Sequence, residues 1–198
     1  MSAVELVALA GSVSLLAGWR LYFVIFATGL AMRTGWIALP ENLEMLAALA
    51  NPWVIGVAGI GLVVEFFADK VAWLDSLWDG LHTLIRPVGG ALLALAIVDA
   101  NDPAWQIVAL LLGGGGALLG HGAKASSRAA INASPEPFSN VVVSTGEDVA
   151  TAGLTVAALA NPGLAVAIFA LVLLFTLGLL WAAGRVLKRV FGRRQKPS

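Results

Sequence analysis

The sequence has no cysteine and little charge. Charged residues make up 12% of its 198 residues, about half the share in a typical soluble domain. Without cysteine the chain has no disulfide, thiolate metal site or cysteine nucleophile, and its redox compartment cannot be inferred. The 12 basic and 12 acidic residues give no basic excess, which excludes an ordinary nucleic-acid binder. So few charges cannot cover a water-facing surface, and this excludes an ordinary soluble enzyme.

Hydrophobic residues make up 59% of the chain, and its mean hydropathy is +0.88. Because a membrane helix needs about 20 apolar residues, the chain has room for about five to seven membrane segments. The sequence therefore predicts an all-α, polytopic membrane helix bundle, with residues 1–184 as one transmembrane domain and 185–198 as a basic tail. The expected partners are the lipid bilayer and a small solute or ion, and a homo-oligomer is one option.

Apolar runs separated by turn signals divide the chain into segments. We predict that the first run is retained and not cleaved as a signal peptide, because Glu5 stands where a basic region would be expected and the run is too long. Residues 69–86 mix tryptophan with charge, which is typical of an interfacial segment. The apolar runs are 4–32, 53–68, 87–98, 104–125 and 163–184, with shorter helices predicted at 41–50 and 147–160.

The hexapeptide Ala-Ala-Leu-Ala-Asn-Pro occurs at 47–52 and again at 157–162. Each copy ends a short helix with acidic residues near its start and precedes a longer apolar span. One interpretation is an internal duplication, with repeats 4–69 and 104–184 linked by 70–103, which is a common transporter plan. The other is chance in a chain rich in alanine and leucine. Under the first, the two short helices are candidates for broken or re-entrant helices.

Basic residues predict the orientation. The tail carries six of them, so the positive-inside rule places it in the cytoplasm of what we expect to be a bacterial inner membrane. If both short helices cross, Arg33, Lys70, Arg86, Lys124 and Arg128 also fall on the cytoplasmic side. Only Arg20 is then left within the bilayer. If the short helices re-enter instead, Lys124 and Arg128 change sides and the rule is violated.

A first group of charged residues lies between positions 65 and 86. Positions 75, 79, 82 and 86 are spaced to share one helix face, and charged groups in an apolar chain are costly to place. Their carboxylates are suited to binding a cation or relaying protons. The alternative is a solvated interfacial helix with internally paired charges. The group consists of Glu65, Asp69, Lys70, Asp75, Asp79, His82 and Arg86.

A second group lies between positions 121 and 148. His121, Lys124 and Arg128 can share a helix face that continues to Asn132, while the prolines at 135 and 137 predict that 132–140 is not regular helix. This stretch is either a cytoplasmic loop or a fold-back that lines a polar cavity. Its further polar members are Glu136, Asn140, Glu147 and Asp148.

Arg20 stands apart from both groups, near the centre of the first apolar run. An arginine in this position usually has an acidic partner or extends to an interface. We expect Glu65 to be its partner.

At these polar segments the sequence resembles an uncharacterised family of small integral-membrane proteins, catalogued as domain of unknown function 4126. The resemblance covers almost the whole chain and departs at Ala72, where a proline would be expected. It implies membrane class and the location of a site, but no activity. The first matching set is Glu65-x-x-x-Asp69-Lys70, Asp75, Asp79, His82-Thr83 and Arg86-Pro87. The second is Lys124, Arg128, Asn132-x-Ser134-Pro135-Glu136-Pro137-x-Ser139-Asn140 and Glu147-Asp148.

Three function classes remain open. The favoured one is a transporter or channel-like protein for a small solute or ion, with the two groups and Arg20 around a polar cavity. The second is a membrane scaffold without transport. The third is an enzyme acting on lipid phosphates, favoured only by the spacing Asp75-x-x-x-Asp79. No nucleotide-binding or hydrolase motif occurs, and we predict neither a catalytic residue nor a cofactor. Whether a metal binds is left open.

Overall fold

The structure is a computed structural model that describes residues 2–36, 41–98, 102–132 and 137–192. The described ranges contain helices and no strand, so the prediction of an all-α bundle is confirmed. The elements are α1 (Ala3–Arg33), a 3₁₀ helix (Glu41–Ala50), α2 (Pro52–Ala68), α3 (Ala72–Val98), α4 (Pro103–Asn132), α5 (Pro137–Ala160) and α6 (Pro162–Gly192).

Within the described ranges, four helices are long and apolar enough to cross a membrane, which agrees with the predicted membrane class. Helix α2, with 17 residues, is apolar but shorter. The ten-residue 3₁₀ helix extends about 20 Å and is too short to cross the hydrocarbon core by itself. The four candidate spans are Ala3–Arg33, Trp73–Val98, Pro103–Ala129 and Pro162–Val186.

Proline and its preceding residue set where most of the helices begin. Helices α2, α4, α5 and α6 each start at a proline, which has the right φ for a first helical turn and no N–H that would be left unpaired there. Asn51 caps α2 by accepting a hydrogen bond from the Trp53 N–H at 2.9 Å. Asn161 accepts one from the Leu164 N–H at 3.3 Å at the start of α6.

Three sequence-based boundaries need correction. Residues 72–86 of the predicted interfacial segment and the apolar segment 87–98 form one helix, α3, with Pro87 in its interior. The predicted short helix 147–160 is the second part of α5, which begins ten residues earlier at Pro137. The predicted non-helical stretch 132–140 was also too broad, because α4 includes Asn132 and α5 begins at Pro137. Residues 133–136 lie outside the described ranges.

Helix α1 is the centre of the bundle and packs against every other described helix. Its first half lies in an apolar layer formed with α3, α5 and α6. Two buried serines tie it to its neighbours, since Ser12 Oγ donates to the Ala165 carbonyl at 3.0 Å and Ser14 Oγ to the Gly90 carbonyl at 3.2 Å. The main members of this apolar layer are Leu9, Val13, Leu16, Leu93, Ile97, Leu159, Ile168 and Val172.

Glycines let α1, α3 and α4 approach closely. A Cβ at Gly18 would overlap the carbonyl oxygen of Ala117, and a Cβ at Gly113 would overlap the carbonyl oxygen of Gly90. Four consecutive glycines at 113–116 in α4 could serve close packing or act as a hinge. The contact at Gly113 supports close packing there, whereas a Cβ at Gly115 would meet open space.

Candidate functional site

Charged side chains from five helices and one link meet beside the apolar layer, on the far side of Gly18. We call this set the charge network. It is centred on α1 and receives side chains from α2, the α2–α3 link, α3, α4 and α5. Its members are Arg20, Glu65, Asp69, Lys70, Asp75, Asp79, Arg86, Lys124, Arg128, Glu147 and Asp148.

Arg20 joins the two polar segments that the sequence singled out. Its guanidinium forms an ion pair with Asp69 in the link and lies 3.3 Å from carboxylate oxygens of both Glu147 and Asp148 on α5. It also donates to the Ser144 carbonyl at 3.0 Å. Arg20 is fully buried, so these groups replace the water that the charge would otherwise require.

The predicted pairing of Arg20 with Glu65 is wrong. Glu65 Oε1 accepts from Arg86 at 2.7 Å and lies 3.5 Å from Lys124 Nζ. Arg86 also reaches Asp79 at 3.1 Å. Asp69 follows Glu65 by one helical turn, and it is Asp69 that reaches Arg20.

Asp69 is the acid with the most cationic partners in the described network. It pairs with Arg20, with Lys124 at 3.2 Å and with Arg128 at 3.6 Å. Burial alone would raise the pKa of Asp69, but Lys124, Arg20 and Arg128 outweigh it and hold that pKa below its usual value. The side chain of Asp75 also contributes to lowering the pKa of Asp69.

Arg128 closes the network on the side of α5. Its Nη2 donates to Glu147 Oε2 at 2.7 Å, and its Nη1 donates to the Asp69 carbonyl at 3.3 Å. Lys70 lies at the edge, 3.4 Å from Ser144 Oγ and over the ring of Phe66. Burial lowers the pKa of Lys70.

Most of the sequence-predicted site residues are thus brought together. The predicted shared face of Asp75, Asp79, His82 and Arg86 is confirmed, since all four are buried, and so is the face formed by His121, Lys124 and Arg128. Glu136 lies outside the described residues. Helices include the backbones of Asn132 and Asn140, whose side chains also lie outside the described part. The binding role of the whole set stays a prediction.

The cations in this network change the argument about orientation. The sequence-based prediction left only Arg20 within the bilayer and counted Arg86, Lys124 and Arg128 as cytoplasmic charges. All four are at least 99% buried and share carboxylate partners. Arg20 is therefore not set apart from the others, and the three cannot be counted as loop charges in the positive-inside rule.

The two histidines flank the network as neutral hydrogen-bonding groups. His121 Nδ1 accepts from Arg86 at 2.6 Å, which leaves its Nε2–H to donate to Thr83 Oγ1 at 3.0 Å. His82 Nδ1–H donates to the Trp78 carbonyl at 2.8 Å, and its Nε2 lies 3.1 Å from the Tyr22 hydroxyl. These partners fix the tautomer of each ring.

A polar cavity of about 280 Å³ lies between α3 and α4 at one side of the network. Network carboxylates and one network cation form part of its wall, so it brings a small ligand within reach of both signs of charge. Its polar lining consists of Asp75, Ser76, Asp79, Thr83, His121 and Arg128.

A second cavity, of about 470 Å³, lies between α1, α5 and α6 and is almost entirely apolar. Glu147 belongs to its wall, while Arg128 belongs to the wall of the polar cavity. The ion pair between Arg128 and Glu147 therefore stands between the two cavities.

Sequence reasoning missed two features of the site. Ser144 accepts from Arg20 through both its carbonyl and its hydroxyl, at 3.0 and 3.1 Å. Only the position of Ser144 three residues before Glu147 hinted at this role. Helix α1 is also interrupted at Arg20, whose φ of −146° and ψ of 74° are not helical. The neighbouring Gly18 was the available signal for a break.

Among the described residues, no group of three or more histidine, aspartate or glutamate side chains is arranged to hold a metal ion. The carboxylates of the charge network face arginine and lysine instead. The polar cavity, whose wall includes Asp75, Asp79 and Arg128, is the candidate place for a ligand in the described part of the chain.

A family model described as a domain of unknown function (DUF4126) matches residues 7–182. The chain belongs to this family. The match includes all the members of the charge network and both cavities, so the family resemblance noted at the two polar segments is confirmed. No curated protein and no solved structure matches the chain. The family is described as a domain of unknown function, so membership assigns no activity to the chain.

Proposed function

We propose that this protein is a membrane transporter or channel-like protein for a small ion or solute, which binds in the polar cavity between α3 and α4. The observation that carries the proposal is the wall of that cavity. Asp79 and Arg128 face it and also belong to a buried charge network. Charged groups inside a membrane bundle are costly to hold and often mark an ion or substrate pathway.

A break in one helix and a proline inside another support this proposal. Helix α1 leaves helical geometry at Arg20, and α3 contains Pro87 directly after Arg86. In many transporters the substrate site is formed where membrane helices are discontinuous, because the freed backbone groups and nearby charges can face a ligand. The break in α1 lies at Arg20 itself, and Pro87, which removes one backbone hydrogen bond from α3, directly follows Arg86.

The ion pair between the two cavities supplies a mechanism. Arg128 shares Glu147 with Arg20, so Glu147 keeps one cation when Arg128 turns towards a ligand. Asp69 likewise has Arg20 and Lys124 as further partners. A ligand that binds Arg128, or that takes the place of Arg86 or Lys124 at Asp79, would therefore exchange ion pairs within the network without leaving a buried charge alone.

Reconstituted flux tests this proposal. The protein is reconstituted in proteoliposomes, and the flux of small ions is followed with internal dyes for pH and for monovalent cations. We expect Glu65→Gln and Asp79→Asn each to reduce this flux at least tenfold. Glu5→Gln and Asp102→Asn are matched controls at exposed helix starts. The side-chain amide oxygens of Gln and Asn can accept the same backbone N–H groups as the carboxylates of Glu5 and Asp102, so both helix caps are kept. Both controls should therefore retain wild-type flux.

Two results would count against transport. One is unchanged flux in both network variants, and the other is wild-type flux no higher than that of empty liposomes across the tested ions. Folding is checked by the thermal unfolding of each variant in detergent, followed through its tryptophan fluorescence.

The proposed location is a bacterial inner membrane, with the C-terminal tail in the cytoplasm. This rests on the six cations of the tail, which the positive-inside rule places on that side. Because the chain has no cysteine, a single cysteine introduced after residue 192 gives a reporter without background. Labelling by an impermeant thiol reagent in intact cells would contradict this orientation. The six cations are Arg185, Lys188, Arg189, Arg193, Arg194 and Lys196.

A scaffold that does not transport is the second candidate function. The four fully buried cations of the described network all have carboxylate partners within 4 Å, which is what a purely structural network requires. This candidate predicts that network variants change stability or oligomeric state while no flux is found for the wild type. Size-exclusion chromatography with light scattering in detergent would measure the oligomeric state.

A further inference from the structure

The apolar cavity between α1, α5 and α6 opens on the outer surface of the bundle. Leu171 and Phe175 form part of its wall on α6 and are 59% and 57% exposed. Its inner wall lies on α1, where Leu16 and Trp19 are at most 8% exposed. The cavity is therefore a groove that leads from the surface of the bundle to its central helix.

The surface on which this groove opens is suited to contact with lipid. Pro162–Val186 of α6 has the highest mean hydropathy of the candidate spans in the described ranges. Leu174 and Leu177, which neighbour the groove residues along α6, are exposed as well. In a helix that crosses a membrane, such a surface faces the hydrocarbon core. The groove is thus continuous with a surface that acyl chains cover.

The lining of the groove favours an apolar occupant over water. Glu147 is the one charged residue in the part of the wall that the structure describes, and its carboxylate pairs with Arg20 and Arg128. The hydroxyl of Ser127, also in the wall, donates to the Lys124 carbonyl at 2.8 Å. An ordered water needs about two to four polar partners, and this lining offers few. A hydrocarbon chain needs none.

The size of the groove favours a chain over a helix from a second copy of the protein. An α-helix with its side chains is about 10 Å across, so each turn takes up about 400 Å³. The groove, of about 470 Å³, holds little more than one such turn. A flexible acyl chain is narrower and can pass the small residues Gly146 and Ala150, which form part of the wall on α5.

We propose that the apolar cavity binds one acyl chain of a bilayer phospholipid, which lies along α1 against Leu16 and Trp19. The bound chain excludes water from the side of Glu147 that faces the groove. Because Glu147 holds Arg20 of α1 and Arg128 of α4, the lipid protects a junction of three helices. This site is separate from the proposed transport function, since it requires no flux.

Tryptophan fluorescence tests the site, because brominated acyl chains quench an indole ring only at short range. The other six tryptophans are replaced by phenylalanine, and the Trp19-only protein is reconstituted in phosphatidylcholine bilayers with chains brominated at one of several depths. We expect bromination at one or more depths to lower the Trp19 emission at least twofold, although this side chain is only 8% exposed. A Trp181-only protein, whose ring is 63% exposed, is the positive control.

The dependence on lipid composition distinguishes one bound chain from general contact with the bilayer. If a single exchanging chain reaches Trp19, the quenching should rise in proportion to the mole fraction of brominated lipid. Trp181 lies on the outer surface and meets several chains, so its quenching should rise more steeply at low mole fraction and then level off.

Two glycines on α5 provide matched variants. A Cβ at Gly146 or at Gly153 meets open space, but only Gly146 belongs to the wall of the groove. Gly146→Leu should fill the groove and protect Trp19 from quenching, whereas Gly153→Leu should leave the quenching unchanged. Thermal unfolding in detergent checks that each variant folds. If the Trp19-only protein does not fold, the two variants are compared in the chain with all seven tryptophans, where Gly146→Leu alone should reduce the quenching.

Three results would overturn the lipid site. The first is an unquenched Trp19 in the folded protein at every depth of bromination. The second is quenching that is equal in Gly146→Leu and in the protein without this change. The third is a dimer, measured by light scattering, that Gly146→Leu dissociates while Trp19 is not quenched, which would identify a second copy as the occupant. None of these measurements uses flux, so failure of the lipid site and failure of transport are separate outcomes.

Discussion

The two halves of α1 lie in opposite environments. Leu9, Val13 and Leu16 belong to the apolar layer, whereas Arg20, one turn after Leu16, is the centre of the charge network. The stability of the apolar layer depends on how closely its side chains fill the space between the helices. The stability of the charge network depends on ion pairing, because a buried charge is tolerated only while its oppositely charged partners are present.

The difference predicts different responses to change. Loss of one methylene group from the apolar layer affects its neighbours only. In the network, acids are shared between cations, so removing one charge alters several pairs at once. Glu147 and Asp69, for example, each contact both Arg20 and Arg128.

The largest effect is expected from Arg20→Met. The methionine keeps much of the volume but leaves Asp69, Glu147 and Asp148 without their common cation. Breaking a buried ion pair from one side costs about 3–5 kcal/mol. We expect a large drop in Tm in detergent, or failure to recover folded protein from the membrane.

Arg185→Met is the matched control for this change. Arg185 is exposed and stacks on the ring of Trp181, an interaction worth about 0.5–1 kcal/mol at an exposed site. Equal stabilities of the two variants would contradict the assignment of Arg20 as the centre of the network.

An intermediate effect is expected at the border between the two regions. Gly18 separates the apolar layer from Arg20, and a Cβ there would overlap the backbone of Ala117 on α4. Gly18→Ala must therefore push α1 and α4 apart, and overpacking of this kind costs about 1–3 kcal/mol. Thermal unfolding in detergent measures the loss.

Gly115→Ala provides the control on α4. A Cβ at Gly115 meets open space, and alanine is the better helix former by up to about 1 kcal/mol. This variant should be as stable as the wild type or more stable. A destabilised Gly115→Ala together with an unaffected Gly18→Ala would contradict the packing described for α1 and α4.

The sequence predicted the fold class well because it follows from local quantities. Length, low charge and long apolar runs are enough to predict a helical membrane bundle. The end of α1 and the start of α2 were predicted within a residue or so. The extents of α3 and α5 were not, because Pro87 lies inside one helix and the polar start of the other resembles a loop.

The site was predicted as a set of residues but not as a set of pairs. Helical spacing is local, and it correctly placed Asp75, Asp79 and Arg86 on one face. Pairing depends on how helices distant in sequence are positioned, which spacing does not specify. The assignment of Glu65 to Arg20 rested on the cost of burying either alone, and this argument could not distinguish Glu65 from Asp69 one turn later.

The smallest effect is expected at the repeated Asn-Pro turns. Asn161 caps α6 where that helix enters the apolar layer, and Asn51 caps α2, which carries Glu65 into the network. Loss of a helix N-cap costs about 1 kcal/mol whether the helix enters the apolar layer or the charge network. Asn51→Ala and Asn161→Ala should therefore lower the free energy of unfolding by similar, small amounts. The corresponding Asp variants should restore it, as measured by thermal unfolding in detergent. If Asn51→Ala instead approached the loss expected for Arg20→Met, this turn would be supporting the network itself, and the two copies of the hexapeptide would have different structural roles.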